Sequence, residues 1–167
     1  MSITVQVQAA ERADWPVEYR WDRDTDILTA NTGVPLDGNG VSGSVELTGA
    51  DGSWLILDLA AGRIRGVEVA VWPDVRSVRS LGVPGAVSSA LVTVPSRDGA
   101  ARVASFEVAT SLVAEADTAE RTIHFRVGGG KPSRTVRIAR DILLDVDAND
   151  GIAGVWLLNV PPFPAET

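Results

Sequence analysis

Hydrophobic and polar positions alternate with period two along most of this chain, the pattern of strands with one buried face. In "SITVQVQ" Ile3, Val5 and Val7 share one side, and Thr4, Gln6 and Gln8 the other. "PVEYRWD" sets Val17, Tyr19 and Trp21 against Glu18 and Arg20. "SFEVATSL" places Phe106, Val108, Thr110 and Leu112 opposite Ser105, Glu107, Ala109 and Ser111, so 100–118 is expected as strand rather than helix. "RTIHFRV" sets Ile123, Phe125 and Val127 against His124 and Arg126, and "RTVRIARDILLDV" continues with Val136 and Ile138 around Arg137. "WLILDL" and "DILLDV" are almost continuously apolar, which predicts strands covered on both faces. Between the runs stand turn formers: "DRDTD", "PLDGNG", "GADG", "VPSRDG", "GGGKPS" and "ANDG". The fold class these patterns predict is all-β.

Two stretches share one layout. In "WLILDLAAGRIRGVEVAVWP" (54–73), Leu57-Asp58-Leu59 and Ile64-Arg65-Gly66-Val67 flank a short turn. In "DILLDVDANDGIAGVWLLNVP" (141–161), Leu144-Asp145-Val146 and Ile152-Ala153-Gly154-Val155 do the same, with one more residue in the turn. Upstream, 17–30 and 111–125 both run strand, acidic turn, strand, so each half reads as two hairpins. The expected architecture is two tandem copies of a small antiparallel β unit, packed as a pseudo-symmetric sandwich or barrel. Residues 1–73 form the first repeat, 74–100 a connecting segment, and 101–167 the second repeat, sharing one core with the first.

The repeated unit resembles a family of small bacterial β-rich domains of unknown function. Their pattern is Y-D-x-x-x-D-x-L-Y-I, then a strand, then L-D-x-D-x-x-G-x-I-x-G-I-E. The matching residues are Tyr19, Asp22, Asp26-Ile27-Leu28, Asp58, Ile64 and Gly66-Val67-Glu68 in the first copy. In the second they are Asp145, Asp147, Gly151-Ile152 and Gly154-Val155, with Trp156 where the pattern has glutamate. The resemblance implies β-rich packing and no mechanism, because that family has no assigned activity.

Bulk properties narrow the function classes. The 167 residues fit one domain or two small halves sharing a core, and no cysteine is present to form disulfides or thiolate metal sites. The net charge is −7, which argues against nucleic acid as a partner, since phosphates are neutralised by clustered cations. Lys131 is the lone lysine among 15 basic residues, and with abundant Ala, Val and Gly this reads as the codon usage of a GC-rich genome. No run approaches the roughly 18 apolar residues of a membrane span, and "MSITVQVQAAERADW" has no signal-peptide pattern. A soluble, cytoplasmic bacterial protein is expected, with no membrane partner.

"DVDANDGI" supplies Asp145, Asp147 and Asn149 at calcium-loop spacing, but Asp150 holds the glycine position and Trp156 the place of the bidentate acid. The first copy's turn, "LAAGRI", has no ligands, so a hairpin turn using Asn149-Asp150-Gly151 for positive φ is preferred and calcium is disfavoured. "GGGKPS" (128–133) lacks the first glycine of a phosphate loop and reads as a hairpin loop. His124, the single histidine, falls on the polar side of its strand and is expected at the surface, without the partners of a catalytic triad. Asp58, Glu68 and Asp145 could supply a carboxylate pair for acid–base work, and Asp58 and Asp145, which hold equivalent places in the two halves, could meet across a pseudo-twofold axis, there or as a ligand site. Of the five tryptophans, Trp54, Trp72 and Trp156 are assigned to the core. Trp15 and Trp21, beside an acidic turn, are the surface candidates.

The favoured function is a non-catalytic protein-binding or accessory role, with another protein or a second copy of the chain as partner. A sheet edge or the tryptophan-bearing surface would make the contact. The alternatives are a small-molecule or carbohydrate-binding module between the repeats, and a hydrolase using paired carboxylates. The binding residues expected are Trp15, Trp21, Asp58 and Asp145; no catalytic residue, metal or cofactor is assigned.

Overall fold

The computed structural model describes residues 3–33, 42–85, 87–95 and 103–164, with the side chains of the last span from Ser105 onward. The turn "PLDGNG" (35–40) and most of "VPSRDG" (94–99) lie outside the described residues. Among the described residues there is no helix, and so none long and apolar enough to cross a membrane. The strands are β1 (Gln6–Ala9), β2 (Val17–Trp21), β3 (Leu28–Thr32), β4 (Ser42–Thr48), β5 (Trp54–Ala60), β6 (Arg63–Val71) and β7 (Val75–Ser77). They continue as β8 (Ser88–Thr93), β9 (Val103–Ala109), β10 (Leu112–Asp117), β11 (Thr122–Val127), β12 (Arg134–Ala139), β13 (Ile142–Val146) and β14 (Ile152–Leu157). The protein is all-β.

These strands make one mixed sheet curled into a half-barrel, in the order β7-β10-β11-β14-β13-β12-β8-β6-β5-β4-β9. Beside that path β3 pairs with β6, β2 with β3, and β1 with β8. Two antiparallel units within it share one strand order, β2-β3-β6-β5-β4 in the first and β10-β11-β14-β13-β12 in the second. Each unit is thus five strands rather than two hairpins. The extra strand of the first, β4, lies in "GVSGSVELTG", where glycine and serine dilute the alternation. In the second, β12 turns into β13 at Arg140–Asp141, a turn that no glycine or proline marks. The predicted strand over 100–118 breaks at Thr110–Ser111: β9 runs parallel to β4 of the first unit, whereas β10 begins the second.

The segment 74–100 does more than connect. β7 extends the sheet beyond β10, and β8 runs parallel to β12, antiparallel to β1 and meets β6 at Arg63↔Thr93. β8 is therefore the strand through which the two units join. At the N-terminal side, Thr4 bridges Gly151, Val5 N donates to Asp150 O (2.8 Å) and Ile152 N donates to Ile3 O (3.0 Å).

Alternation sends one face of each unit inward. Leu28, Ala30, Val45, Leu47, Leu55, Leu57, Val67 and Val69 from the first unit join Ala114, Phe125, Val136, Ile142, Leu144, Val155 and Leu157 from the second in a single buried cluster. Fully burying each such large side chain contributes roughly 1.5–3 kcal/mol. The outward faces differ. In β13 every residue is buried, as the apolar run predicted, but in β5 only Leu55, Leu57 and Leu59 are, while Trp54 and Asp58 are exposed. The apolar Ile56 of "WLILDL" sits half-buried on an otherwise open face.

Candidate functional site

The outward face of the second unit carries a closed polar network. Register sets Asp145 opposite Gly154 on β14 and Thr135 on β12, with Trp156 opposite His124 on β11 and Leu143 on β13. Thr135 Oγ1 donates to Asp145 Oδ1 (2.6 Å), and Trp156 Nε1 donates to the same carboxylate (3.1 and 3.2 Å). His124 Nε2 lies 2.7 Å from Asp145 Oδ2; an ionised carboxylate only accepts, so that nitrogen carries the proton. The imidazole stacks on the Trp156 indole, with centroids 3.8 Å apart and planes at 12°. Gly154 makes this possible: a Cβ there would stand 2.4 Å from Asp145 Oδ2 and 2.9 Å from Phe125 O. Burial pushes the Asp145 carboxyl upward, but the hydrogen bonds from His124, Thr135 and Trp156 outweigh it and hold it below the usual carboxylate range.

His124 is therefore not at the surface. It is 9% exposed, because the polar side of its strand is itself covered. Alternation sorts residues onto two faces and carries no information on which face is open. The signal that could have exposed the network was Trp156, a large aromatic that alternation puts on the same side of its strand as Gly154.

The first unit builds the same positions with different residues. Asp58 stands opposite Gly66 on β6 and Ser44 on β4, as Asp145 does with Gly154 and Thr135. Glu68 stands where Trp156 does, opposite Thr29 on β3, which takes the place of His124. With these smaller or straight side chains the position is a hollow of about 240 Å³, lined by Thr29, Asn31, Ile56, Asp58, Val67 and Glu68. Partial burial pushes the Asp58 carboxyl above its ordinary value, and the Arg65 guanidinium counters this in part. No family model and no curated protein matches this chain. What the site does is read from its geometry.

Around the hollow the face stays open and polar. Glu18, Arg20, Asn31, Ser105 and Glu107 are exposed on it. Ser105 Oγ lies 3.1 Å from Ser44 Oγ and donates to Glu46 Oε2 (3.0 Å), tying β9 to β4 on the outward side. Trp54, 36% exposed, and Val71, 45% exposed, form an apolar corner beside Ile56 and are paired across β5 and β6.

The structure does not bring Asp58 and Asp145 together. Four strand-to-strand steps separate β5 from β13 along the sheet, roughly 19 Å at the usual spacing. Both carboxylates also lie on outward faces, since Leu57, Leu59, Leu144 and Val146 beside them line the core. They have no lining residue or hydrogen-bond partner in common.

Trp15 and Trp21 are half-buried against the core. The Arg12 guanidinium lies 4.3 Å from the Trp15 ring centroid, and Trp15 O accepts from Arg140 N (2.9 Å). Trp21 stacks on Trp72 at 5.7 Å, meets Phe163 edge-on at 5.2 Å, and donates from Nε1 to Pro161 O (2.8 Å). Trp72 Nε1 donates to Asp26 O (2.8 Å). Both of these indole N–H groups are spent on fastening the chain to itself.

In "DVDANDGI" the acidic groups divide between two tasks. Asp145 belongs to the buried network, while Asp147 Oδ1 accepts from Asn149 N and Gly151 N (both 2.8 Å), closing the turn between β13 and β14. The positive φ there falls on Asp150 (59°). Gly128, Gly129 and Gly130 line a cleft of about 430 Å³ that Asp147 also faces, so a carboxylate stands where a phosphate would need cations.

Proposed function

We propose that this protein is a non-catalytic binding protein, and that its docking surface is the outward face of the first unit. The observation that carries this reading is the contrast between equivalent positions. In the second unit Asp145 is closed over by His124 and Trp156, whereas in the first Asp58 borders a hollow on an exposed face with an apolar corner at Trp54. A polar face with a partly exposed tryptophan and half-built hydrogen-bonding groups is suited to protein recognition. The tryptophan-bearing surface around Trp21 gains less support, since its indole N–H holds Pro161.

The same contrast supports reading the chain as an internal duplication in which one copy keeps the structural role and the other has been freed for contact. Matching strand order and the Asp–Gly pairs at Asp58–Gly66 and Asp145–Gly154 favour it. A cytoplasmic bacterial setting belongs to this proposal.

Site-specific photo-crosslinking in cells of the protein's own source tests it. A benzophenone side chain at Glu107, on the open face, is expected to yield a discrete crosslinked protein, and one at Val113, on the second unit, is not. Val113 is 49% exposed, so reagent access does not separate the two positions. An absence of product from Glu107, or the same product from both positions, would overturn the reading.

A further inference from the structure

We propose that the hollow beside Asp58 receives the guanidinium of an arginine side chain presented by the partner; this rests on the open face being a docking surface. The molecule contains its own pattern for the contact. At the equivalent position of the second unit, two planar nitrogen heterocycles lie on the sheet and direct N–H groups at the carboxylate of Asp145. In the first unit the carboxylate, the facing glycine and the hydroxyl-bearing neighbour are retained as Asp58, Gly66 and Ser44, but the planar donors are gone. Among the described residues, Asp58 has no hydrogen-bond donor or ion-pair partner within contact distance. A planar group carrying N–H donors, supplied from outside, completes the arrangement.

Charge selects a cation over a neutral heterocycle. Glu68 replaces the indole, so two carboxylates face one hollow, and the Thr29 hydroxyl and Asn31 side chain add acceptors on its far wall. A fork of five N–H donors can reach acceptors on several strands at once, which a point-charge ammonium cannot. Space is sufficient: about 240 Å³ holds a guanidinium with part of its stem. Ile56, which lines the hollow, offers the remaining methylenes an apolar surface. Arg65 does not line the hollow; its Nε is buried and has no acceptor among the described residues.

The test is amide NMR of the whole chain titrated with the capped tripeptide Gly-Arg-Gly and with its citrulline counterpart, which keeps the shape and loses the charge. Saturable shifts at Thr29, Asn31, Asp58 and Glu68 are expected with the arginine peptide, and at least tenfold weaker binding with citrulline. Asp58→Asn should weaken the arginine peptide at least tenfold with the rest of the spectrum unchanged. Thr29→His combined with Glu68→Trp, which refills the hollow as in the second unit, should abolish it. Equal response to both peptides, or no response at these four positions, overturns the inference. If crosslinking from Glu107 persists in that case, the docking surface stands and only the ligand class is wrong; if both fail, both readings fall.

Discussion

At the scale of single residues, Asp145 and Gly154 are the pair on which the second unit's outward face depends. Asp145→Ala would strand the Thr135 hydroxyl, the Trp156 indole N–H and the His124 N–H in a buried place. The expected loss is on the order of 3–5 kcal/mol, measured by urea denaturation. Gly154→Ala should cost about 2 kcal/mol or more, since the added methyl meets a carboxylate oxygen and a backbone carbonyl. Gly66→Ala should cost less, its closest neighbour being Ala30 O at 3.0 Å. The two aspartates also titrate with opposite sign. The folded state holds Asp145 below its ordinary 3.8, so the stability it contributes is present above that value and lost as pH falls toward the lower folded value. Asp145→Asn should therefore flatten the acid limb of a stability-versus-pH curve. Asp58 is raised, so its contribution runs the other way, present at low pH and lost as pH rises through its folded value. Of this residue-level picture the sequence showed that Asp58 and Asp145 hold matching places, because Leu57-Asp58-Leu59 aligns with Leu144-Asp145-Val146 and the Ile-x-Gly-Val spacing follows each. It did not show their different fates, which depend on what covers each face.

At the scale of elements, the β5–β6 connection is a two-residue hairpin turn, with Ala60 paired to Arg63 and positive φ at both Ala61 (51°) and Gly62 (81°). That geometry favours Asn-Gly, and a left-handed alanine costs about 1 kcal/mol. Ala61→Asn is expected to raise stability by about 0.5–1 kcal/mol, read as a higher midpoint of thermal unfolding. Strands with clean alternation, such as Val17–Trp21 and Thr122–Val127, were legible from their patterns. β4 was not, because its Ser-Gly-Ser start carries no alternation, nor was the parallel pairing of β9 with β4, which joins residues 61 positions apart along the whole register. Parallel partners leave no turn between them for sequence to mark.

At the scale of the whole molecule, both units feed one apolar cluster and share β8. Neither should fold alone. Fragments 1–73 and 101–167 expressed separately are expected to lack the amide dispersion of a folded protein, and the full chain to unfold in one transition by both tryptophan fluorescence and circular dichroism. Two independent transitions would show instead that the cluster is divided. The sequence marked 74–100 as a connecting segment but not as a source of strands for the sheet, since three-residue β7 and the serine-rich start of β8 resemble loop.

The contact of Ile3–Val5 with Asp150–Ile152 has a consequence for how the chain is made. A ribosome releases the first strand long before the hairpin it must meet, and β1 also waits for β8, some eighty residues later. The nascent chain thus carries Val5 and Val7 without their partners for most of its synthesis. Closing such distant pairs is paid for in loop entropy before any contact is gained, which places folding among the slower two-state proteins, at milliseconds to seconds. Stopped-flow refolding should find its main phase there, and a circular permutant that joins the two ends of the chain should fold faster without being more tightly packed.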